Sequence, residues 1–312
     1  MKTIGIDIGG TKVAAGVVDE NGNILAQARR RTPSRDPEHL VDVVSEIVRQ
    51  LLSEHEVGAI GVGAAGFVDA ARHNVLFAPN LSWRETPLHD EVSARVDLPV
   101  VVENDANAAA WGEYRFGAGE QLPHVIVLTI GTGIGGGLII NGDLYRGGFG
   151  LAGEPGHVRV VPGGRQCGCG NLGCWEQYCS GTALVRAARE IATERPDDAR
   201  RLLEIAETVD AIDGPVVTRA AAEGDPAAID CFQEIGRWLG QGIADLAAVL
   251  DPVRFVVGGG VSDAGDLLIK PARDTYAAAL TGRGHRPTAD IVIAKLGAEA
   301  GMIGVADLAR QI

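Results

Sequence analysis

Three glycine-rich turns, each directly after a run of residues typical of a β-strand, constrain the fold of this 312-residue chain most strongly. They are Asp7-Ile8-Gly9-Gly10-Thr11-Lys12, Gly131-Thr132-Gly133-Ile134-Gly135 and Gly258-Gly259-Gly260. Glycine lets backbone N–H groups approach a phosphate and point at it together, because no Cβ intervenes. None of the turns matches the P-loop or the dinucleotide-binding pattern, in which the glycines open a helix. Each turn alone also fits an ordinary hairpin, so only the three together predict a phosphate site.

The first of these turns belongs to a strand–turn–strand unit that the chain repeats near its middle. The first copy has predicted strands at 2–8 and 12–19, and a third strand at 24–32 follows an Asn21-Gly22 turn. The second copy has predicted strands at 125–129 and 137–140. This duplication predicts that two parts of the chain share one architecture.

Helical and extended patterns alternate between and after the two copies. Helical spacing of apolar residues occurs at 40–51, 87–97 and through most of 180–251, and short apolar strands are predicted at 59–66, 100–103 and 254–257. Strands that alternate with helices predict an α/β fold.

The length of the chain exceeds the usual size of one hydrophobic core, so we expect two domains with a cleft between them. A final helix at about 300–311 is predicted to pack on the N-terminal half. We therefore assign residues 1–110, with about 300–312, to a smaller α/β domain. Residues 111–299 form the predicted larger α/β domain.

The charge balance of the chain argues against two classes of partner. A formal net charge of −13 would repel both nucleic acid and anionic lipid, so we expect neither as a partner. The N-terminus enters a predicted strand within three residues, without the apolar core of a secretory signal, and no stretch is apolar enough to span a bilayer. The cytoplasm is the expected compartment.

A cluster of cysteines follows the second copy of the repeat. His157, Cys167, Cys169 and Cys174 give the spacing H-x9-C-x-C-x4-C in a glycine-rich segment. Four such ligands with no open position fit a structural, tetrahedral Zn²⁺. The alternatives are ordinary reduced thiols and a catalytic zinc, which would normally keep a position for water.

The same segment carries the most specific resemblance in the chain. Glu154-Pro155-Gly156-His157, followed by Cys167-Gly168-Cys169-Gly170-Asn171-Leu172-Gly173-Cys174-Trp175-Glu176, closely resembles the signature of the ROK family of bacterial sugar kinases and related repressors. The three glycine-rich turns resemble the phosphate hairpins and adenosine-side turn of the actin-like ATPase and sugar-kinase fold. The resemblance implies an actin-like (ribonuclease H-like), duplicated, two-domain α/β fold with an interdomain cleft.

The resemblance implies that ATP binds at the glycine-rich turns together with Mg²⁺, which neutralises charge on the transferred phosphoryl group. It places Asp7 near the Mg²⁺, often through water. Lys12 either adds charge near the phosphates or simply begins a surface strand. The other implied nucleotide contacts are Gly9, Gly10, Thr11, Thr132, Gly133, Gly258 and Gly259.

The pair Asn104-Asp105 lies where a predicted strand ends and a helix begins, at the edge of a sheet where side chains project into a crevice. In isolation the pair also fits a helix cap. In ROK kinases the aspartate of such a pair is the general base, and the resemblance assigns this role to Asp105. The expected reaction is ATP-dependent phosphorylation of glucose to glucose 6-phosphate, in which a carboxylate accepts the hydroxyl proton.

The resemblance also implies which residues hold the sugar. Besides Asp105 they are the Gly66 backbone, Asn80, Asn104, Glu154, His157 and Glu176. Because Glu154 is three residues before the zinc ligand His157 and Glu176 is two residues after Cys174, the metal would fix both carboxylates.

Several alternatives share this pattern. Another hexose or N-acetylmannosamine could be the acceptor, and polyphosphate could be the donor. A ROK repressor needs an N-terminal helix-turn-helix, for which the hairpin at Asp7 leaves no room, and an actin-like filament protein would not need the zinc segment. The resemblance suggests a homodimer or homotetramer.

Overall fold

The computed structural model describes residues 1–78 and 81–312. In these residues the strands are β1 (Thr3–Ile8), β2 (Lys12–Val18), β3 (Ile24–Arg31), β4 (Ile60–Ala64), β5 (Phe67–Val68), β6 (Val75–Phe77), β7 (Arg84–Thr86), β8 (Val100–Asn104), β9 (His124–Ile130), β10 (Ile134–Ile140), β11 (Asp143–Tyr145), β12 (Arg254–Gly258) and β13 (Asp290–Ile293). The helices are α1 (Pro37–Leu52), α2 (Leu88–Ser93), α3 (Asp105–Phe116), α4 (Gly181–Glu194), α5 (Arg200–Ala206), α6 (Gly214–Ala222), α7 (Pro226–Leu250), α8 (Asp266–Ala279) and α9 (Ala300–Leu308).

The strands form two five-stranded sheets of equivalent topology. The first has the order β3-β2-β1-β4-β8, with β1 antiparallel to β2 and parallel to β4. The second has the order β11-β10-β9-β12-β13, so each sheet extends a three-strand meander by two further strands. This equivalence confirms the duplication predicted from the glycine-rich turns and the α/β class of the fold.

Helix α9 packs directly on the first sheet because glycines remove side chains from the contact. A Cβ added to Gly5 of β1 would lie 1.9 Å from the carbonyl oxygen of Met302, and one on Gly61 of β4 would lie 2.1 Å from that of Val305. On its other side α9 contacts α3, where a Cβ on Gly304 would lie 1.8 Å from the carbonyl oxygen of Ala108. The last helix is thus held against β1, which carries Asp7, and against α3, which begins at Asp105.

By backbone proximity the chain divides into two compact units. Unit 1 comprises residues 1–127, 136–153 and 294–312, and unit 2 comprises 128–135 and 154–293. The division differs from the predicted domains in residues 111–127, 136–153 and 294–299, which lie in unit 1, and the predicted domain boundaries stay a prediction. A small three-stranded sheet, β5-β6-β7, also belongs to unit 1.

The strand boundaries differ from the prediction in β10, which begins at Ile134 rather than 137. Its glycines, Gly135, Gly136 and Gly137, have weak intrinsic strand preference, so the sequence pattern hides this half of the strand. Sheet neighbours decide the conformation here. In the residues that the structure describes, none of the helices has both the length and the apolarity needed to cross a membrane.

Candidate active site

The first glycine-rich turn joins β1 to β2 and is closed by its own backbone. The N–H of Gly9 donates to the carbonyl oxygen of Lys12 at 3.0 Å, and the Thr32 hydroxyl donates to the carbonyl oxygen of Gly9 at 2.7 Å. Thr11 and Lys12 are exposed, whereas Asp7, on β1, is half-buried. The turn therefore presents backbone and hydroxyl groups beside a carboxylate, a donor set that suits phosphate and Mg²⁺.

Asn104 and Asp105 stand at the junction of β8 and α3. The side-chain oxygen of Asn104 caps α3 by accepting from the N–H of Asn107 at 2.9 Å. Its Nδ2 donates to the carbonyl oxygen of Gly66 at 3.0 Å and to Oδ1 of Asp105 at 3.2 Å. The structure thus brings together three of the predicted site residues: Gly66, Asn104 and Asp105.

The carboxyl group of Asp105 has an unusual ionisation. Burial and the nearby charge of Asp7 raise its pKa to about 7. The pKa of Asp7 is itself raised by burial, with Lys12 opposing this and Glu299 adding to it. A carboxyl whose pKa lies near neutrality is well matched to accept a proton at physiological pH.

Helix α9 borders both Asp7 and the backbone of Asp105. A Cβ added to Gly301 would lie 3.6 Å from Cγ of Asp7 and 3.8 Å from the carbonyl oxygen of Asp105. A larger residue at this position would therefore press on both segments. No local sequence pattern identifies Gly301, because its role depends on the packing of the last helix against the first sheet.

The second glycine-rich turn is held by hydrogen bonds from the first residues of α4. The N–H of Gly181 donates to the carbonyl oxygen of Gly131 at 2.7 Å, and the Thr182 hydroxyl donates to that of Thr132 at 2.7 Å. Within the turn, the N–H of Gly131 donates to the carbonyl oxygen of Gly133 at 3.0 Å. The positive end of the α4 dipole therefore lies beside the exposed Thr132, which favours a bound anion.

A cavity of about 1060 Å³ in unit 2 opens beside this turn. Its walls come from the turn itself, the first part of α4, α6 and the segment after β12; the lining includes Gly131, Thr132, Gly181, Thr182, Gly214, Thr218, Ala222, Gly260, Val261 and Asp263. The size suits a nucleotide-sized ligand. The predicted contacts Gly258 and Gly259 immediately precede the lining residues and stay a prediction.

The contribution of α4 and α6 to this cavity was not predicted from the sequence. The available signal was Ser180, whose hydroxyl caps α4 by accepting from the N–H of Ala183 at 3.1 Å. The N-terminus of a capped helix can bind an anion. Its contact with the second glycine-rich turn is visible only in the structure. In the sequence of α6, no pattern distinguishes the residues that line the cavity from those on the outer surface.

The four predicted zinc ligands converge. The ligand atoms of His157, Cys167, Cys169 and Cys174 all lie within 4.8 Å of one another. The sulfurs of Cys169 and Cys174 are 3.6 Å apart, and Cys167 Sγ lies 3.6 Å from His157 Nδ1. Tetrahedral zinc requires about 3.8 Å between sulfurs and about 3.6 Å between sulfur and nitrogen. The donor set therefore fits a closed structural zinc site.

Tight bends make this convergence feasible. Gly173 has a φ of +82°, and a Cβ there would lie 1.6 Å from the carbonyl oxygen of Val161. The N–H of Cys167 donates to the carbonyl oxygen of Asn171 at 2.9 Å, and the N–H of Trp175 donates to that of Val158 at 2.8 Å. These bonds bring the ligands at both ends of the loop together.

Two predicted sugar ligands, His157 and Glu176, lie at the zinc cluster. The Cys167 thiol donates to Oε1 of Glu176 at 3.0 Å, and this oxygen is 4.0 Å from Nδ1 of His157. A Cβ added to Gly133 would lie 2.4 Å from the other carboxylate oxygen of Glu176. Glu176 is therefore placed between the metal ligands and the second glycine-rich turn.

The remaining predicted sugar ligands are Glu154 and Asn80. Glu154 is half-buried and precedes the 3₁₀ turn Pro155–His157, where its carbonyl oxygen accepts from the N–H of His157 at 3.2 Å. Asn80 lies outside the described residues. Its role stays a prediction.

The chain is similar over its whole length to known proteins of one family. The model of the ROK family matches residues 3–312. A glucokinase of Streptomyces coelicolor is 54% identical over 310 residues, which are 99% of this chain and 98% of that protein. The crystal structure of a ROK family glucokinase from Streptomyces griseus in complex with glucose and AMPPNP has 55% identity and a TM-score of 0.92, over 100% of both chains.

A second solved structure is more distant in sequence but has the same fold. The ROK hexokinase from Thermus thermophilus is 34% identical, with a TM-score of 0.83 over 100% of this chain and 98% of the other. Both neighbours share the actin-like architecture predicted from the glycine-rich turns and the zinc segment. This chain belongs to the ROK family.

Proposed function

We propose that this protein is an ATP-dependent glucokinase that phosphorylates glucose to glucose 6-phosphate. The observation that carries the proposal is Asp105, a half-buried carboxyl at the start of α3 whose raised pKa of about 7 suits a general base. The 54% identity to a Streptomyces glucokinase over nearly the whole chain supports the choice of substrate.

ATP would bind with its adenosine part in the cavity of unit 2 and its phosphates at the two glycine-rich turns. The exposed hydroxyls of Thr11 and Thr132, with the turn backbones, would hold the phosphates, and the N-terminus of α4 would favour their charge. Asp7 would hold Mg²⁺, which when bound neutralises charge on the phosphoryl group. These contacts align the phosphoryl group for transfer.

The sugar would be held by side chains whose own positions are fixed. In unit 1 Asn104 is held by its bonds to Gly66 and Asp105. In unit 2 Glu176 lies in the 3₁₀ turn Trp175–Gln177, two residues after the proposed zinc ligand Cys174. Zinc at the four-ligand cluster would fix the segments that carry Glu154, His157 and Glu176. With the sugar oriented, Asp105 accepts the proton of the attacking hydroxyl as the bond to phosphorus forms.

The decisive test is substitution of Asp105 by asparagine. Asp105→Asn keeps an oxygen that can accept from the Ala106 N–H but cannot accept a proton, so turnover with glucose and ATP should fall by a factor of about 10² to 10⁴. The measurement is ADP release coupled to a reporter enzyme. Binding of an ATP analogue, measured by calorimetry, should be unchanged; substantial residual turnover would remove Asp105 from this role.

The same assay ranks the acceptors. The donors are compared by the amount of sugar phosphate formed, because a polyphosphate donor releases no ADP. Glucose should give the highest kcat/KM in a panel that includes mannose and N-acetylmannosamine, and ATP should exceed polyphosphate as donor. We further propose a cytoplasmic homodimer or homotetramer, because the proposed donor is made in the cytoplasm and ROK kinases resemble this chain throughout. Light scattering on the purified protein measures the assembly.

A further inference from the structure

Glu103, the residue before Asn104, is a buried carboxylate that contacts the catalytic segment. Its side chain is 2% exposed. Its Oε1 accepts from the N–H of Asn104 at 3.1 Å and from Nδ2 of Asn107 at 3.2 Å. Asn107 in turn donates its N–H to the capping oxygen of Asn104. Glu103 therefore holds Asn104 both directly and through the first turn of α3.

The other carboxylate oxygen of Glu103 accepts from Arg146 Nε at 2.7 Å, which forms an ion pair across 43 residues of sequence. Arg146 begins the loop 146–153, which leads in sequence to Glu154. The loop is compact, since the N–H of Ala152 donates to the carbonyl oxygen of Arg146 at 3.0 Å, and a Cβ on Gly150 would lie 2.6 Å from the backbone nitrogen of Ala70.

A second guanidinium group lies near this pair. Burial and the charge of Arg146 lower the pKa of Arg72, and the charge of Glu103 opposes them. Arg72 also has a φ of +60°, an uncommon conformation for a residue with a Cβ. The charges of both Glu103 and Arg146 therefore act on Arg72, and Glu103 is two residues before the proposed base.

A buried ion pair of this kind contributes little net stability to the fold. Desolvation of buried charges offsets much of their attraction, and apolar residues of similar size often stabilise a protein equally well. What the pair does supply is a rigid link between the backbone at Asn104 and the start of the loop that leads to Glu154.

We propose that Glu103 and Arg146 are positioning residues for the sugar, which couple the Asn104-Asp105 segment to the loop 146–153. This inference rests on the proposed function, because it assumes that Asn104 and Glu154 bind the sugar. It assigns the pair no contact with ATP. Loss of the pair should therefore impair glucose binding and turnover while ATP binding is retained.

The test compares Glu103→Gln, Arg146→Met and the double variant. Each single variant should raise the glucose KM and lower kcat, with a combined loss of about 10- to 100-fold in kcat/KM for glucose, and leave the ATP KM within about twofold of the wild type. Arg146→Lys, which restores a charge at this position, should recover part of the loss.

The double variant separates positioning from stability. Because it removes both charges of the pair, neither Glu103 nor Arg146 remains as an uncompensated buried ion, and the variant should recover part of the thermal stability lost in the single variants. Its glucose KM and kcat should stay as defective as those of the single variants. Recovery of glucose kinetics together with stability would overturn the proposal.

A matched ion pair in unit 1 serves as the control. Arg115 Nε donates to the buried Asp307 at 3.1 Å, with side-chain exposures of 35% and 6% against 25% and 2% for Arg146 and Glu103. Arg115→Met should lower the melting temperature but not change either KM. If it shifts the glucose KM as Arg146→Met does, the effect is general to buried ion pairs and the proposal fails. Wild-type protein that does not phosphorylate glucose would instead refute the proposed function.

Discussion

At the scale of single residues, the chemistry of this protein depends on environment more than on residue type. Asp7 and Asp105 are both half-buried carboxyls of one unit, and the charge of Asp7 acts on the carboxyl group of Asp105. Two like charges in a poorly solvated place cannot both ionise at their usual pKa. The group whose pKa rises to about 7 is then suited to take up a proton during the reaction.

The first prediction concerns the pH dependence of catalysis. Because the base must be ionised and its pKa is about 7, kcat/KM for glucose should be constant well above pH 7 and fall about tenfold per pH unit below it. Initial rates between about pH 5 and 9 at saturating ATP provide the measurement. A rate that stays constant down to about pH 5 would mean that the base has an ordinary carboxyl pKa.

The second prediction concerns stability. The folded pKa of Asp105 is raised above the ordinary value of 3.8, so its contribution to stability is present below about pH 4 and is lost as pH rises through about 7. Asp105→Asn removes this cost and should stabilise the protein by up to about 4 kcal/mol at about pH 8, since each pKa unit is worth about 1.4 kcal/mol. The melting temperature should rise by several degrees. At about pH 4 the melting temperatures of the two proteins should coincide. Thermal denaturation at both pH values measures this, and equal melting temperatures at the higher pH would contradict it.

At the scale of elements, the zinc loop is shaped by backbone that favours glycine. In the zinc loop the requirement is specific to position. A Cβ at Gly173 would meet the Val161 carbonyl at 1.6 Å, whereas one at Gly168 would have no neighbour within 4 Å. The loop therefore has no room for a side chain at Gly173, whereas it has room for one at Gly168.

The third prediction uses these two glycines as a matched pair. Gly173→Ala should displace the Cys174 segment, reduce bound zinc well below one equivalent per chain and raise the glucose KM, since Glu176 depends on the same loop. Gly168→Ala should retain zinc and activity. Metal analysis of the purified proteins by mass spectrometry, with glucose kinetics, measures both effects. Full zinc content in Gly173→Ala would show that the loop can relax around the added carbon.

The fourth prediction concerns α6 as a wall of the nucleotide cavity. Ala222 is exposed and lines the cavity, so Ala222→Trp should occupy part of the proposed adenosine site and raise the ATP KM by about tenfold or more. The glucose KM should change little. Ala222→Ser, which adds only one atom, is the control. Unchanged ATP kinetics in the tryptophan variant would place the nucleotide elsewhere.

At the scale of the whole molecule, two sheets of the same topology carry the two turns that would hold phosphates. β1 and β2 occupy in the first sheet the places that β9 and β10 occupy in the second. An equivalent strand–turn–strand unit therefore supplies a glycine-rich turn twice. The family assignment over residues 3–312 applies to this entire architecture and not to one motif alone.

The sequence alone predicts the local chemistry of the site. Three short patterns depend on near neighbours along the chain: the strand-flanked glycines of the two turns, the four predicted zinc ligands between His157 and Cys174, and the Asn104-Asp105 pair. Hence the duplicated α/β fold and the ROK membership could be predicted from the sequence alone. The convergence of the four zinc ligands is likewise a consequence of short, glycine-rich connections.

Features that depend on long-range packing are visible only in the folded protein. The raised pKa of Asp105 requires burial beside Asp7, which is distant from it in sequence. The cavity needs α4, α6 and the segment after β12 to surround one turn, and the link from Glu103 to Arg146 joins two segments that share no local pattern. Desolvation and ion pairing depend on which atoms are close in space, and residue order alone does not specify that.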